Sequence, residues 1–300
     1  MKIASFDELN WKKDHPTGNI SFQHLLKGQP GTRENFMYVL GRQDADFLMP
    51  THRHNFDQIR LPIRGTMNHG KGIVVGEGEV AYIPEGVAYG PQEDPLAPYA
   101  AGERLQLVLQ FGGSSGLGFM SIEQRRQAIR ELAEVGTFAG PYFHRNDGTS
   151  ACGLNAIWEH VFGERIRYPR PRYKSIIIAD PARFQWLPVD GAAGVEHKFM
   201  GAFSERGVWI EMLRLQPGAV WTSTDPRATR LLVILAGSGE AANQPIGQLS
   251  AVDVSADETL RLTASTGLEV FLVGLPPVEI PAVSSDQYDS EEIPAEAALA

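Results

Sequence analysis

The sequence holds a single cysteine, Cys152, in 300 residues. No internal disulfide can form, and the lone thiol reads as an inert small side chain. No run approaches the roughly 18 apolar residues that a membrane-spanning helix needs. The first residues, Met1-Lys2-Ile3-Ala4-Ser5-Phe6-Asp7-Glu8, turn acidic at once instead of forming the apolar stretch of a signal peptide. A cytoplasmic location is therefore expected. Positive charge is scarce: 27 Lys and Arg against 36 Asp and Glu give a net charge of −9. That balance argues against a nucleic-acid partner and against adhesion to an anionic membrane, because phosphate contacts demand a basic surface. One basic run exists, Arg165, Arg167, Arg170, Arg172 and Lys174, but Pro169 and Pro171 break it. It reads as an extended strap carrying salt bridges. Gly112-Gly113-Ser114-Ser115-Gly116-Leu117-Gly118 lacks both the G-K-[ST] ending of a phosphate loop and the G-x-G-x-x-G spacing, and reads as a flexible strand exit. There is no nucleophile elbow and no Ser-His-Asp order, so an activated serine has no support.

What is present is an ordinary globular composition, 43% apolar and 21% charged. The length suits one large or two medium domains. Short β-like runs bounded by Gly, Pro and Asp fill residues 20–111, with Phe36–Leu40, Gln58–Ile63, Gly72–Val75, Val80–Ile83 and Leu105–Phe111 the clearest. Ser121-Ile122-Glu123-Gln124 then has the form of a capping box, followed by helix formers through Glu134 and a stop at Gly136. A second helix is expected over Asn155–Phe162. From about Lys174 the β pattern returns, in Ser175–Ala179, Val208–Leu215, Leu231–Leu235 and Leu268–Leu275. The last twenty residues carry five acidic and no basic side chains and read as a disordered tail. The two β regions look like copies. Gly65 corresponds to Gly237 at an offset of 172, and Pro84 corresponds to Ser255 at an offset of 171.

His52 and His54 stand at i and i+2, which in a strand places both imidazoles on one face; Gln58 and Arg60 share that parity. Such a pair is a plausible metal chelate. The pattern is wider than the pair. His52-x-His54-x3-Gln58-x6-Gly65 resembles the first cupin motif, H-x-H-x(3,4)-E-x6-G, with Gln in the place of Glu. Gly78-x5-Pro84-x-Gly86-x2-Tyr89 resembles the second, G-x5-P-x-G-x2-H, with Tyr in the place of His. The chain is identified on these residues as similar to the cupins, and specifically to two-domain bacterial bicupins.

That resemblance implies an all-β dominated fold of two jelly-roll β-barrels joined by a partly helical linker. The expected boundaries are an N-terminal arm over 1–34, a barrel with the functional site over 35–120, a helical linker over 121–174, a degenerate barrel over 175–280 and the tail over 281–300. It also implies one divalent transition metal (Fe, Mn, Ni or Zn) on His52, His54 and Gln58. Tyr89 is a poor ligand while protonated; a nearby divalent cation could lower its pKa, or it could serve instead as a proton donor to a bound substrate. His69 would supply a third imidazole, and Arg60 added positive charge. With neutral ligands the site would stay cationic and favour a small anionic substrate. In the second copy His52, His54, Gln58 and Tyr89 become Thr224, Pro226, Arg230 and Leu260, so no ligand survives there. That barrel would act as a structural partner, covering the first or making a homodimer face. Three functions fit: a dioxygenase acting on an aromatic or enolic anion, a non-oxidative lyase, isomerase or cyclase, and a non-catalytic small-molecule binder.

Overall fold

The structure, a computed structural model, describes residues 1–13, 20–44, 47–92, 104–117, 119–139, 142–278 and 288–289. The first half supplies strands β1 (Lys2–Ala4), β2 (Ile20–Lys27), β3 (Phe36–Gln43), β4 (Asp57–Arg64), β5 (Met67–Asn68), β6 (Val74–Val75), β7 (Val80–Ile83) and β8 (Arg104–Phe111). The middle holds helix α1 (Ile122–Leu132), strands β9 (Gly136–Ala139), β10 (Tyr142–Arg145) and β11 (Ser150–Cys152), helix α2 (Gly153–Phe162) and strands β12 (Tyr168–Pro169) and β13 (Ile177–Ala179). The second half runs through β14 (Leu187–Pro188), β15 (Val195–Phe203), β16 (Val208–Leu215), β17 (Val220–Thr224), β18 (Thr229–Ala236), β19 (Gly239–Ala241), β20 (Gln244–Ile246), β21 (Ala251–Val254), β22 (Thr259–Ala264) and β23 (Leu268–Leu275), and β24 (Tyr288–Asp289) follows.

The sequence of β4, Asp57-Gln58-Ile59-Arg60-Leu61-Pro62-Ile63-Arg64, shows why two faces must be buried. Side chains of a strand alternate between faces. Ile59 and Leu61 enter an apolar core that also contains Tyr38, Leu107 and Leu109 of the first half and Met212, Leu231, Phe271 and Val273 of the second. That core lies between two large sheets, one ordered β13-β7-β4-β8-β3-β2 and the other β1-β21-β18-β23-β16-β15-β14. The outer faces of the two barrels are therefore packed on each other. Gln58 and Arg60, of the opposite parity, face the interior of the first barrel.

The duplication is visible in hydrogen-bond register. Strands β3 and β16 lie 172 residues apart, as do β4 and β18. Both copies interrupt their ladders at corresponding points, between His24 and Leu26 and between Phe199 and Gly201, and again between Pro62 and Arg64 and between Ile234 and Ala236. Bulges are placed features of a fold, so shared bulges mark shared ancestry of the two halves. The turn glycines Gly65 and Gly237 both have positive φ, +73° and +85°, where other residues are strained. A Cβ on Gly237 would also lie 1.8 Å from the Gly267 carbonyl oxygen.

The edges differ from the expected boundaries. Strand β1 does not belong to an arm; it pairs with β21 of the second barrel, Ile3 opposite Val252. Strand β13, expected to open the second barrel, pairs with β7 of the first, Ile178 opposite Ala81. The two are equivalent strands, 175 residues apart, exchanged between the barrels. Alternation marks a segment as a strand but not which edge it closes.

In the middle region Ser121 and Gln124 form the expected capping box, both bonds present. Helix α1 stops at Leu132, short of Glu134, and Gly136 opens β9, because a Cβ there would strike the Phe143 ring and the His144 carbonyl. Helix α2 begins at Gly153, two residues ahead of expectation, and ends on the left-handed Gly163. The β9–β11 sheet and both helices share a small core of Ala128, Leu132, Phe143, Ala156 and Ile157. The basic run does act as a strap: Arg172 reaches Glu85 of the first barrel at 2.7 Å and also pairs with Glu205 of the second. Of the expected tail, Tyr288–Asp289 pairs with Tyr168–Pro169, and the remainder lies outside the described residues. Among the described residues no helix is long and apolar enough to cross a membrane.

Candidate functional site

Three short segments converge inside the first barrel. The chain entering β4 carries His52 and His54, β4 itself carries Gln58 and Arg60, His69 follows β5, and Tyr89 follows β7. His52 and Tyr89 are locked together by backbone, each amide donating to the other's carbonyl at 3.0 Å. The Gly90 amide donates to the His69 carbonyl at 2.8 Å, which sets that imidazole beside Tyr89. His52 stands in an isolated bridge with Tyr89 and His54 lies in no strand, yet their rings still meet edge to face at 4.9 Å. Gln58, His69 and Tyr89 are buried; His52 and His54 are part-exposed and form the mouth.

Arg60 decides the hydrogen-bond pattern because a guanidinium can only donate. Its Nη2 donates to Gln58 Oε1 and to the Tyr89 hydroxyl, both at 2.9 Å, and its Nη1 donates to His69 Nε2 at 3.2 Å. Gln110 Nε2 also donates to Gln58 Oε1, at 3.1 Å, so the Gln58 amide nitrogen is left to donate to Tyr89 Oη at 3.0 Å. The tyrosine oxygen then accepts twice, and its own proton goes to His54 Nε2, 3.1 Å away. His69 accepts at Nε2, so it carries its proton on Nδ1, toward the Met67 carbonyl at 3.3 Å. His52 donates from Nδ1 to the Pro50 carbonyl at 2.7 Å, which leaves a lone pair on Nε2. Among the described residues Arg60, only 8% exposed, has no carboxylate partner, and its Nε–H is buried without an acceptor.

Burial sets the protonation states. It lowers His52 to about 4, with a smaller contribution from the Arg60 charge, and His69 to about 3, again with Arg60 second. Burial raises Tyr89, and the Arg60 charge and the Gln58 bond pull it back only in part. At neutral pH His52 and His69 are thus uncharged, Tyr89 is protonated and Arg60 supplies one fixed positive charge. The histidines give a stability test. Between pH 6.5 and about 4 the unfolded chain binds protons that the native site refuses, so stability falls as pH falls, by about 1.4 kcal/mol per pH unit for each such group. His69→Gln keeps an acceptor for Arg60 and removes one titration. Its stability, measured by urea denaturation, is expected to fall about 2 kcal/mol less than wild type's between pH 6.5 and 5; equal losses would contradict a buried neutral His69.

The expected metal set is brought together in space, but its donors are spent. Both lone pairs of Gln58 Oε1 are taken, by Arg60 and Gln110. His69 Nε2 accepts from Arg60 and His54 Nε2 from Tyr89, so His52 Nε2 is the one imidazole lone pair left over in the set. A divalent ion on Gln58 would also lie against a guanidinium. Among the described residues no group of three or more His, Cys, Asp or Glu side chains is arranged to hold a metal ion. In this arrangement the residues do not fit the metal that the motifs imply.

Gln110 was not foreseen as part of the site. The signal was there in β8, Arg104-Leu105-Gln106-Leu107-Val108-Leu109-Gln110-Phe111, where polar residues alternate with apolar ones in a buried strand. Five histidines have no ligand spacing: His24 lies in β2, His144, His160 and His197 make local contacts with Ser150, Glu131 and Glu211, and His15 lies outside the described residues. The second barrel is a useful contrast. Its interior is filled by an apolar cluster that includes Leu232, Ile234, Leu260, Val270 and Leu272. Leu232 and Leu260 occupy the positions of Arg60 and Tyr89. Arg230, at the position of Gln58, is bonded to Ser223 and to the Glu258 carbonyl. None of the four motif positions keeps a metal-binding side chain there.

No protein-family model and no curated protein matches the chain. Solved structures do. A bacterial pirin of Escherichia coli in complex with nickel(II) aligns with a TM-score of 0.51 at 12% identity, over 92% of this chain and 99% of that one. A Streptomyces albus HEPD with 2-hydroxyethylphosphonate and Fe(II) bound aligns at 0.54 and 10% identity, over 95% and 77%. An oxalate decarboxylase of Lactobacillus farciminis, in a formate complex, aligns at 0.53 and 9% identity, over 92% and 86%. At such identities the likeness concerns fold, and the fold is that of a two-barrel cupin.

Proposed function

We propose that this two-barrel cupin binds a small organic anion, a carboxylate or enolate, in its N-terminal barrel and moves a proton on it by acid–base chemistry of the lyase or isomerase kind. One observation carries the reading: Arg60 is a buried cation with no carboxylate partner among the described residues and with a donor left unpaired. A buried charge without a counter-charge is costly, and an anionic ligand is the partner that would relieve it. The rest of the site supplies the chemistry. Arg60 and Gln58 direct N–H groups at the Tyr89 oxygen, where they favour the tyrosinate that forms when the proton leaves, while burial keeps that proton in place at rest. His54 Nε2, in contact with the hydroxyl, is positioned to return it. His52 Nε2 adds an acceptor at the mouth. The oxidative alternative would route through iron or a similar ion, for which the donors are already engaged.

The test is thermal denaturation with a panel of small carboxylic, enolic and phenolic acids. A true ligand at one hundred times its dissociation constant adds about 2.7 kcal/mol to wild type. Arg60→Met is expected to lose that response. A panel in which every acid shifts wild type and Arg60→Met alike would sink the proposal, and a ligand that binds without exchanging any proton would leave a binding protein.

A further inference from the structure

Arg60 does more than balance an anion. It is hydrogen-bonded to two of the atoms that a metal would claim, Gln58 Oε1 and His69 Nε2, and to the Tyr89 hydroxyl at the position of the second motif's histidine. Resting on the anion-binding reading above, we infer that Arg60 is a resident cation standing in for a metal ion, so that the site works metal-free and holds a latent metal site that the guanidinium keeps shut.

Three features support this. The first is coordinate competition: each donor bonded to the guanidinium presents its lone pair to an N–H, and a metal could take it only by expelling that N–H. The second is charge. A divalent ion placed on the same donors would face a fixed positive charge a few ångströms away in a medium that screens poorly. The third is the second barrel, where Arg230, two residues before the Arg60 equivalent, also puts a guanidinium on β18 and binds it to Ser223 and the Glu258 carbonyl, its Nε–H again without an acceptor. There the neighbouring positions have become apolar. In the first barrel the histidines, the glutamine and the tyrosine remain, and the arginine holds them in register around itself. The donor set of His52, His54 and Gln58 is thereby kept intact without an ion to organise it.

The prediction is a gain of function. Tag-free, full-length protein, stripped with chelator and dialysed, is titrated with NiCl2 and, separately, with ZnCl2 by calorimetry. Wild type is expected to bind neither in stoichiometric amount. Arg60→Met frees Gln58 Oε1 and His69 Nε2, keeps the bulk of the side chain, and is expected to bind about one equivalent, at least ~100-fold more tightly than wild type. The added affinity should vanish in the His52→Ala, Arg60→Met double variant. Arg60→Gln serves as the second variant if the methionine chain does not fold, with circular dichroism as the check. One equivalent bound by wild type and lost in His52→Ala overturns the inference, and so do folded Arg60 variants that bind no metal. Neither result depends on the acid panel: wild type can ignore every acid and still refuse metal, or bind an acid and still take up metal.

Discussion

Replacing Arg172 with alanine is expected to destabilise the protein by roughly 3 kcal/mol, the low end of the cost of leaving a buried charge without its partner, because Glu85 is buried while the Arg172 side chain is 25% exposed. Glu85 is buried, and its carboxylate is held by the Ser115 amide at 2.8 Å, the Ser115 hydroxyl at 2.6 Å and Arg172 at 2.7 Å. Nothing larger than Gly113 fits beside it, since a Cβ there would lie 2.3 Å from Glu85 Oε2. A second carboxylate adds to the demand. Asp57, also buried, accepts from the Glu85 amide at 2.7 Å and from the Tyr82 hydroxyl at 2.9 Å. Burial, and then the Glu85 charge, raise it to about 7. Without Arg172 the Glu85 carboxylate loses its ion-pair partner and keeps only the Arg206 charge that also acts on it, and protonation becomes its escape. The loss should therefore be larger at pH 8 than at pH 5. Chemical denaturation at both values checks it. Arg165 on the same strap is the control: it is 87% exposed and lies 3.5 Å from Glu159, so Arg165→Ala should cost under about 1 kcal/mol. Equal effects from the two variants would mean that the strap carries no special load at Arg172.

Tyr89→Phe is expected to lower proton-transfer turnover by about 10²–10⁴-fold, the range associated with loss of a positioned general acid. The ring would stay, packed 4.4 Å from His52 and 6.0 Å from His69, so the fold should persist. The oxygen would go, and with it the acceptor of two N–H groups and the donor to His54; about 1–3 kcal/mol of stability should go too. Deuterium wash-in from solvent, followed by NMR on an acid that the thermal panel identifies, measures the step without knowledge of the final product. A phenylalanine variant that exchanges as fast as wild type would remove Tyr89 from the chemistry.

Much of this was legible in the residues, and the illegible part has physical causes. Alternation in β4 and β8, glycines at turn positions and the two motif spacings carry local information, and they led to two barrels and to a constellation of His52, His54, Gln58, Arg60, His69 and Tyr89. Bonding within that constellation is not local. Parity says that Arg60 shares a face with Gln58; it does not say that a guanidinium will lie on the glutamine oxygen, nor that Gln110 will arrive from β8 to take the second lone pair. The crossed edge strands were hidden for another reason. Strands β1 and β13 have three residues each, too few to display a partner preference, and their places are set by which sheet edge is left open.

That exchange of edge strands also fixes an order of events during synthesis. The first barrel has its own last strand by Phe111, but its sheet stays open at β7 until Ile177–Ala179 has been made, 66 residues later. At about 5–20 residues per second, the ribosome keeps that edge waiting for roughly 3–13 seconds. Strand Lys2–Ala4 waits much longer, since its partner Ala251–Val254 lies near the end of the second barrel. A nascent chain of this protein thus carries one open barrel edge while its linker is made and one unpaired N-terminal strand until the second barrel is nearly complete.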